Sequence, residues 1–206
     1  MMRRRLLLDF VQGELPAEYQ QVQYIEGTGI QWIETNYIPP AGVNAEWDYA
    51  VTGSCSGDKM IWGARDNTND GKCFAERYAN SWYCGNGYAK YSNVLAGSGI
   101  IANVKYHASM DSSALIIDNN SSSPTDTSYA SPNREIYIFA YNNNGSVAWI
   151  HPVLRMYSLK FTYNNSVQAD FVPCIRISDN KPGMYDLVGR NFYTNAGTGA
   201  DFIIPS

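Results

Sequence analysis

The sequence predicts an all-β protein, a sandwich or barrel of antiparallel strands in one domain. Three observations carry this. Apolar residues recur at every second position along most patterned segments, the spacing of a strand with one buried face. Gly, Asn, Ser and Pro interrupt those segments at about the 8–12-residue spacing of short strands joined by turns. Aromatic residues make up 14% and charged residues only 17% of the 206, a mix that suits half-buried pleated surfaces. The same mix excludes a disordered chain, which is charged and poor in aromatics, and a coiled coil, which is dominated by Ala, Glu, Lys and Leu. A domain of this length buries about 70% of the surface of its unfolded chain, so its core needs no metal or disulfide.

The elements follow in order. Residues 19–26 alternate imperfectly. Residues 44–51 alternate strictly, with Ala45, Trp47, Tyr49 and Val51 on one face and Asn44, Glu46 and Asp48 on the other, which predicts a half-buried antiparallel strand. Residues 59–64 form a short apolar run ending at Gly63. Residues 99–110 and 113–118 read as a strand pair across a tight turn near Asp111 and Ser112. Residues 135–141 are β-branched and aromatic and read as one strand, closed by Asn142-Asn143-Asn144-Gly145, where Asn-Gly accepts positive φ. Along 153–163, Leu154, Met156, Ser158, Lys160 and Thr162 fall opposite Val153, Arg155, Tyr157, Leu159, Phe161 and Tyr163, and the second set is the more apolar. The chain turns at Asn164-Asn165 and returns along 167–172. It ends with a short pair, 183–188 and 191–194, joined through Gly189-Arg190. Residues 118–133 read as an exposed loop with a short edge strand, because strand signals resume after them without a change in character. No helix of normal length is expected. The best stretch is 3–12, which is marginal in isolation. The predicted organisation is an N-terminal arm at 1–14 ahead of a sandwich at 15–206.

The net charge is −4, and the 15 basic residues are scattered apart from Arg3-Arg4-Arg5. A nucleic-acid binder carries a basic stripe, so no nucleic-acid partner is expected. Cys55, Cys73, Cys84 and Cys174 form no Cys-x-x-Cys pair, and no His sits at metal-ligand spacing beside them. Reduced thiols are the plainer reading, although Cys55, Cys73 and Cys84 share one stretch and could approach each other in a sheet. At the N-terminus, Leu6-Leu7-Leu8 is cut by Asp9, short of the roughly 7–15 residues of a secretory apolar region. No stretch approaches the ~18–20 apolar residues of a membrane span. Neither an export signal nor a membrane span is expected.

Two segments resemble a known family. Leu15-Pro-Ala-Glu-Tyr19 followed by Tyr24-Ile-Glu-Gly-Thr-Gly-Ile-Gln-Trp-Ile-Glu-Thr35 is similar to the opening of concanavalin A-like (laminin-G-like) domains, which occur in phage structural proteins and gut-bacterial surface proteins. Leu154–Phe161, Asp170-Phe-Val-Pro-Cys174, Gly183-Met-Tyr-Asp-Leu-Val188 and Phe192-Tyr-Thr-Asn-Ala-Gly-Thr-Gly199 resemble its closing signature. Val104-Lys-Tyr-His107 and Leu115-Ile-Ile-Asp118 stand where the family has its two middle strands, with Tyr106 in place of Trp. The resemblance implies a two-sheet antiparallel jelly-roll sandwich of about a dozen strands. It implies no reaction, because fold analogy alone assigns none. The closing residues also read as builders of turns: Asp170, Tyr185, Asp186, Asn195 and their glycines would seat the last strands.

Candidate sites are few. Some jelly-roll enzymes cleave glycosides with two carboxylates facing one sugar. The one Glu-x-Asp here is Glu46-Trp47-Asp48, and no second Glu follows, so a solvated strand face accounts for it. His107 and His151 are the only histidines, and no Gly-x-Ser-x-Gly elbow is present. Asp66-Asn-Thr-Asn-Asp-Gly71 matches the first half of a calcium loop, but Arg77 stands where the bidentate Glu belongs. A polar turn is the plainer reading, and no metal or other cofactor is expected. Residues 76–93 interleave Tyr78, Trp82, Tyr83, Tyr88 and Tyr91 with Gly, Ser and Asn, the mix of a recognition surface. Rings stack on sugar faces while amides and hydroxyls meet sugar hydroxyls. Strands whose aromatics fill the core would produce the same pattern, and both readings stand. Trp32, Trp47, Trp62 and Trp149 read as core.

The expected role is binding without catalysis: a phage virion-associated head or tail protein, made in the host cytoplasm, that recognises a glycan or cell-surface polysaccharide. It is expected to be a homo-oligomer, with the arm touching other virion proteins. A glycoside hydrolase of the same fold and a purely architectural decoration protein are the alternatives.

Overall fold

The computed structural model describes residues 13–53, 57–67, 71–78, 81–94 and 101–205. All but the last two residues of the expected arm, Cys55 and the middle of the Asp66–Gly71 loop lie outside them. In chain order the strands are β1 (Tyr19–Gln21), β2 (Ile25–Gly27), β3 (Ile33–Glu34), β4 (Asn44–Val51), β5 (Asp58–Arg65), β6 (Lys72–Tyr78), β7 (Ser81–Asn86), β8 (Lys90–Val94) and β9 (Lys105–Met110). They continue as β10 (Leu115–Ile117), β11 (Asn120–Ser122), β12 (Tyr137–Ile138), β13 (Tyr141–Asn143), β14 (Ser146–Ala148), β15 (Leu154–Tyr163), β16 (Ser166–Arg176), β17 (Lys181–Asp186) and β18 (Asn191–Thr194). The described residues contain no helix.

The strands form two sheets. The first runs β11-β10-β9-β4-β15-β16-β17-β18, with β1 beside β16 and β2 beside β15. The second runs β14-β13-β5-β6-β7-β8, with β12 between β3 and β5. All strand pairs are antiparallel except β13 on β5. Apolar inner faces stack into one core, as a sandwich requires. Trp47 of the first sheet meets Trp62 of the second edge-on at 5.5 Å between ring centroids, and Trp62 meets Phe161 at 5.1 Å. Tyr49 meets Trp82 at 5.2 Å in the same way. The strict alternation of β4 is borne out, since Ala45, Trp47, Tyr49 and Val51 are all buried.

Two strands depart from simple alternation. In β15, Leu154, Met156, Leu159 and Phe161 are all fully buried, although Met156 and Leu159 are three residues apart. The register against β4 shifts between Met156 and Ser158. Tyr157 is the extra residue of a β-bulge, which resets the side-chain phase. The expected split into a Leu154 face and a Phe161 face is thereby corrected. The segment 135–141 is likewise not one strand. β12 runs antiparallel to β5 and β13 runs parallel to it, so the chain reverses between them. Phe139, at φ 68°, makes the reversal. Its amide donates to Ile61 O, its carbonyl accepts from His151 N, and its buried ring packs on Phe202 at 4.8 Å. Burial and hydrogen bonds offset a conformation that costs a residue with a Cβ about 1–2 kcal/mol.

The end of the chain is seated by polar turns. Buried Asp186 accepts from the amides of Asp170 and Val188 through Oδ1, at 2.9 and 3.0 Å. Asn195 Oδ1 accepts from the amides of Trp32 and Gly197. A Cβ on Gly197 would lie 2.0 Å from Ile30 O, so only glycine fits that approach.

Candidate functional site

The outer face of the second sheet holds a cleft. Gly63 and Gly85 point outward there without side chains. A Cβ on Gly85 would come within 2.7 Å of the Tyr129 ring, so that ring lies directly on the strand backbone. Met60, Phe74 and Tyr141 are buried beneath the face, and Tyr83, Tyr129 and Ala148 pack against them. Together with Arg65, Lys72, Lys90, Ser92 and Trp149 these rings line a cleft of about 280 Å³. That volume is near the lower end of small-molecule sites, which run from roughly 300 Å³ upward.

The rings form a continuous row. Tyr129 lies 6.2 Å from Phe74, and Phe74 meets Tyr141 edge-on at 6.0 Å. Tyr141 and Trp149 stack at 5.3 Å with an interplanar angle of 23°. Cations cap both ends. Lys72 and Lys90 place their Nζ atoms 5.3 and 5.9 Å from the Tyr129 centroid, and the Arg65 guanidinium lies 5.7 Å over Trp149. Arg65 Nε also donates to Asn143 Oδ1, which fixes the direction of its fork.

Distant segments hold the row in place. The loop after β11 docks on the ends of β6 and β8: Thr125 N donates to Lys90 O, Lys90 N to Asp126 O, Lys72 N to Ala130 O and Tyr129 N to Tyr88 O. Trp149 follows β14 at φ 47°, and its carbonyl accepts from Met60 N at 3.0 Å. An aromatic residue in left-handed backbone is strained, and here it presents a ring that remains 38% exposed.

The residues expected to form a recognition surface divide. Trp82 and Tyr91 are fully buried, and Tyr91 donates its hydroxyl to Asp111 O at 2.6 Å. They are core, because alternation along β7 and β8 turns them inward. Tyr83 faces outward and lines the cleft. Tyr88 is exposed on the turn between β7 and β8. Tyr78 is in β6, and its side chain lies outside the described residues. Trp47 and Trp62 are core as expected, Trp32 is half-buried, and Trp149 is corrected from core to exposed. Arg65 was missed because it ends a strand whose central residues, Met60 to Ala64, are buried, and Trp149 because it follows the short edge strand β14, too short to show which way its ring turns. Tyr129 sits in a Ser- and Asn-rich loop with no period of its own.

Glu46 and Asp48 lie on the outer face of the first sheet. Lys105 Nζ and His107 Nδ1 each lie 2.7 Å from the Asp48 carboxylate. A carboxylate only accepts, so Nδ1 carries a proton toward it. Across the sheet, Glu46 stands opposite Lys160, and Lys160 reaches Asp170 at 3.9 Å. This alternation of sign is what stabilises neighbouring strands. Burial pushes the Asp48 carboxyl up, but the hydrogen bonds from Lys105 and His107 outweigh it and hold it below its ordinary 3.8. Stability from such a group is present above pH 3.8 and is lost as pH falls through the lower folded value. Asp48→Asn is therefore expected to cost about 0.5–1 kcal/mol at pH 7, as exposed pairs do. In urea titrations its difference from wild type should shrink as pH falls below 3.8, and a difference that stays constant as the carboxylate is protonated would remove the ion-pair account.

Burial raises the thiols of Cys73 and Cys174, the latter to about 12, and Cys73, Cys84 and Cys174 are all buried. Among the described residues no group of three His, Cys, Asp or Glu side chains is placed to hold a metal ion. No family model matches the chain, and no curated protein matches it.

Proposed function

We propose that the protein is a non-enzymatic, phage virion-associated protein that binds a glycan on the host surface through this cleft. The observation that carries the reading is the row of rings from Tyr129 to Trp149 along the cleft, half-buried at Tyr129 and exposed at Trp149, over two outward glycines. Flat apolar rings with hydroxyl and amide groups around them suit the alternating apolar and polar faces of a sugar. Among the described side chains the cleft lining includes no carboxylate, whereas glycoside cleavage needs two, which favours recognition over cleavage. The sandwich is of the jelly-roll, concanavalin A-like kind, a reading that rests on the opening and closing motifs. Placement on a virion and assembly as an oligomer through the N-terminal arm rest on the same resemblance.

A glycan array tests the binding role. The wild type is expected to hit a restricted set of microbial glycans. Trp149→Ala and Tyr129→Ala should each weaken those hits about tenfold or more, the worth of one well-packed ring (~1.4 kcal/mol). No hit for the wild type, or hits that both substitutions leave intact, would overturn the reading.

A further inference from the structure

We infer that the ligand of this cleft is an acidic saccharide, one that carries a carboxylate, sulfate or phosphate group against a sugar ring; the inference rests on the glycan-binding reading above. The protein as a whole is acidic, at −4. Yet among the described side chains the cleft lining includes three cations, Arg65, Lys72 and Lys90, and no carboxylate. Asp126, the bridge partner of Lys90, uses its carboxylate first within its own hairpin, accepting from Thr127 N at 2.7 Å and Ser128 Oγ at 2.8 Å, and feels the Lys90 charge only as a smaller effect.

The placement of the cations adds to their number. Each caps a ring at the end of the row, so an anionic substituent meets a cation while the adjoining sugar face lies on Trp149 or Tyr129. Arg65 is directed by its Nε bond to Asn143, which leaves the two Nη amines as the pair a carboxylate or sulfate meets with two parallel hydrogen bonds. Lys72 and Lys90 are point charges on flexible stems and accept several anion geometries. A single-stranded nucleic acid would also use rings and cations, but it needs a groove that follows its backbone over about 4–16 nucleotides. This site is one compact cleft.

Affinity electrophoresis of the full chain tests the inference with matched pairs: polygalacturonate against its carboxyl-reduced form, and dextran sulfate against dextran. At least one acidic member should retard the wild type about tenfold more strongly than its neutral partner, with the advantage shrinking as salt rises from about 50 to about 500 mM. Which pair responds separates carboxylate from sulfate recognition. Arg65→Gln and Lys90→Gln should each remove most of the advantage, and unchanged urea midpoints show that each variant is folded. Trp149→Ala should weaken the acidic member too, which non-specific attraction to a polyanion would not produce. If neutral and acidic members bind equally and Trp149→Ala weakens both, the acidic inference fails and the glycan reading stands. If no polysaccharide binds, both fail, as they do if a dT oligonucleotide alone binds.

Discussion

Trp62→Ala is expected to lower the unfolding free energy by about 3–5 kcal/mol, the cost of truncating a large buried aromatic side chain. Trp62 is fully buried and joins the two layers, with its ring edge-on to Trp47 and Phe161 of the opposite sheet. The alanine removes both ring contacts at once and leaves a hole that neighbours on two hydrogen-bonded sheets cannot move to fill. For a chain of this size the loss corresponds to a fall of roughly 6–20 °C in Tm. Trp62→Phe should cost much less, because it keeps most of the ring and removes an indole N–H that meets no acceptor among the described residues. Calorimetry on both variants checks this. A Trp62→Ala loss below about 1 kcal/mol would mean the layers are not held together at this point.

Asp186→Ala is expected to cost about 2–5 kcal/mol, because it strands two amide donors, of Asp170 and Val188, at roughly 1–3 kcal/mol each. Both hydrogen bonds converge on one oxygen of a carboxylate that is almost wholly buried. Asp186→Asn retains an acceptor in the same place and should recover more than half of the loss. Chemical denaturation of the pair distinguishes a role as acceptor from one as charge. Equal losses for both variants would show that the charge, and not the acceptor geometry, is what the turn requires.

The two-layer architecture was legible because alternation is a local property: β4 declares its buried face in eight consecutive residues. The closing turns were legible for the same reason, since Asp186 and Asn195 act on neighbours a few residues away as well as on distant strands. The cleft was not. It is assembled from β5 to β8, from the loop carrying Tyr129 and from Trp149 beyond β14, and no window of sequence contains it. Within 76–93 the composition pointed to a recognition surface, but alternation sends Trp82 and Tyr91 inward and Tyr83 outward. Composition cannot separate those faces without the strand register. Phe139 was hidden differently: nothing in an apolar run announces a left-handed residue with a large ring.

The spare residue in β15 makes the length of that strand a form of information. Before Tyr157 the even-numbered side chains enter the core, and after it the odd-numbered ones do. A chain one residue shorter here could still form its backbone ladder, yet Leu159 and Phe161 would be turned to water. Position 157 is thus a spacer, open to many side chains but closed to deletion, and related chains are best aligned with that count preserved.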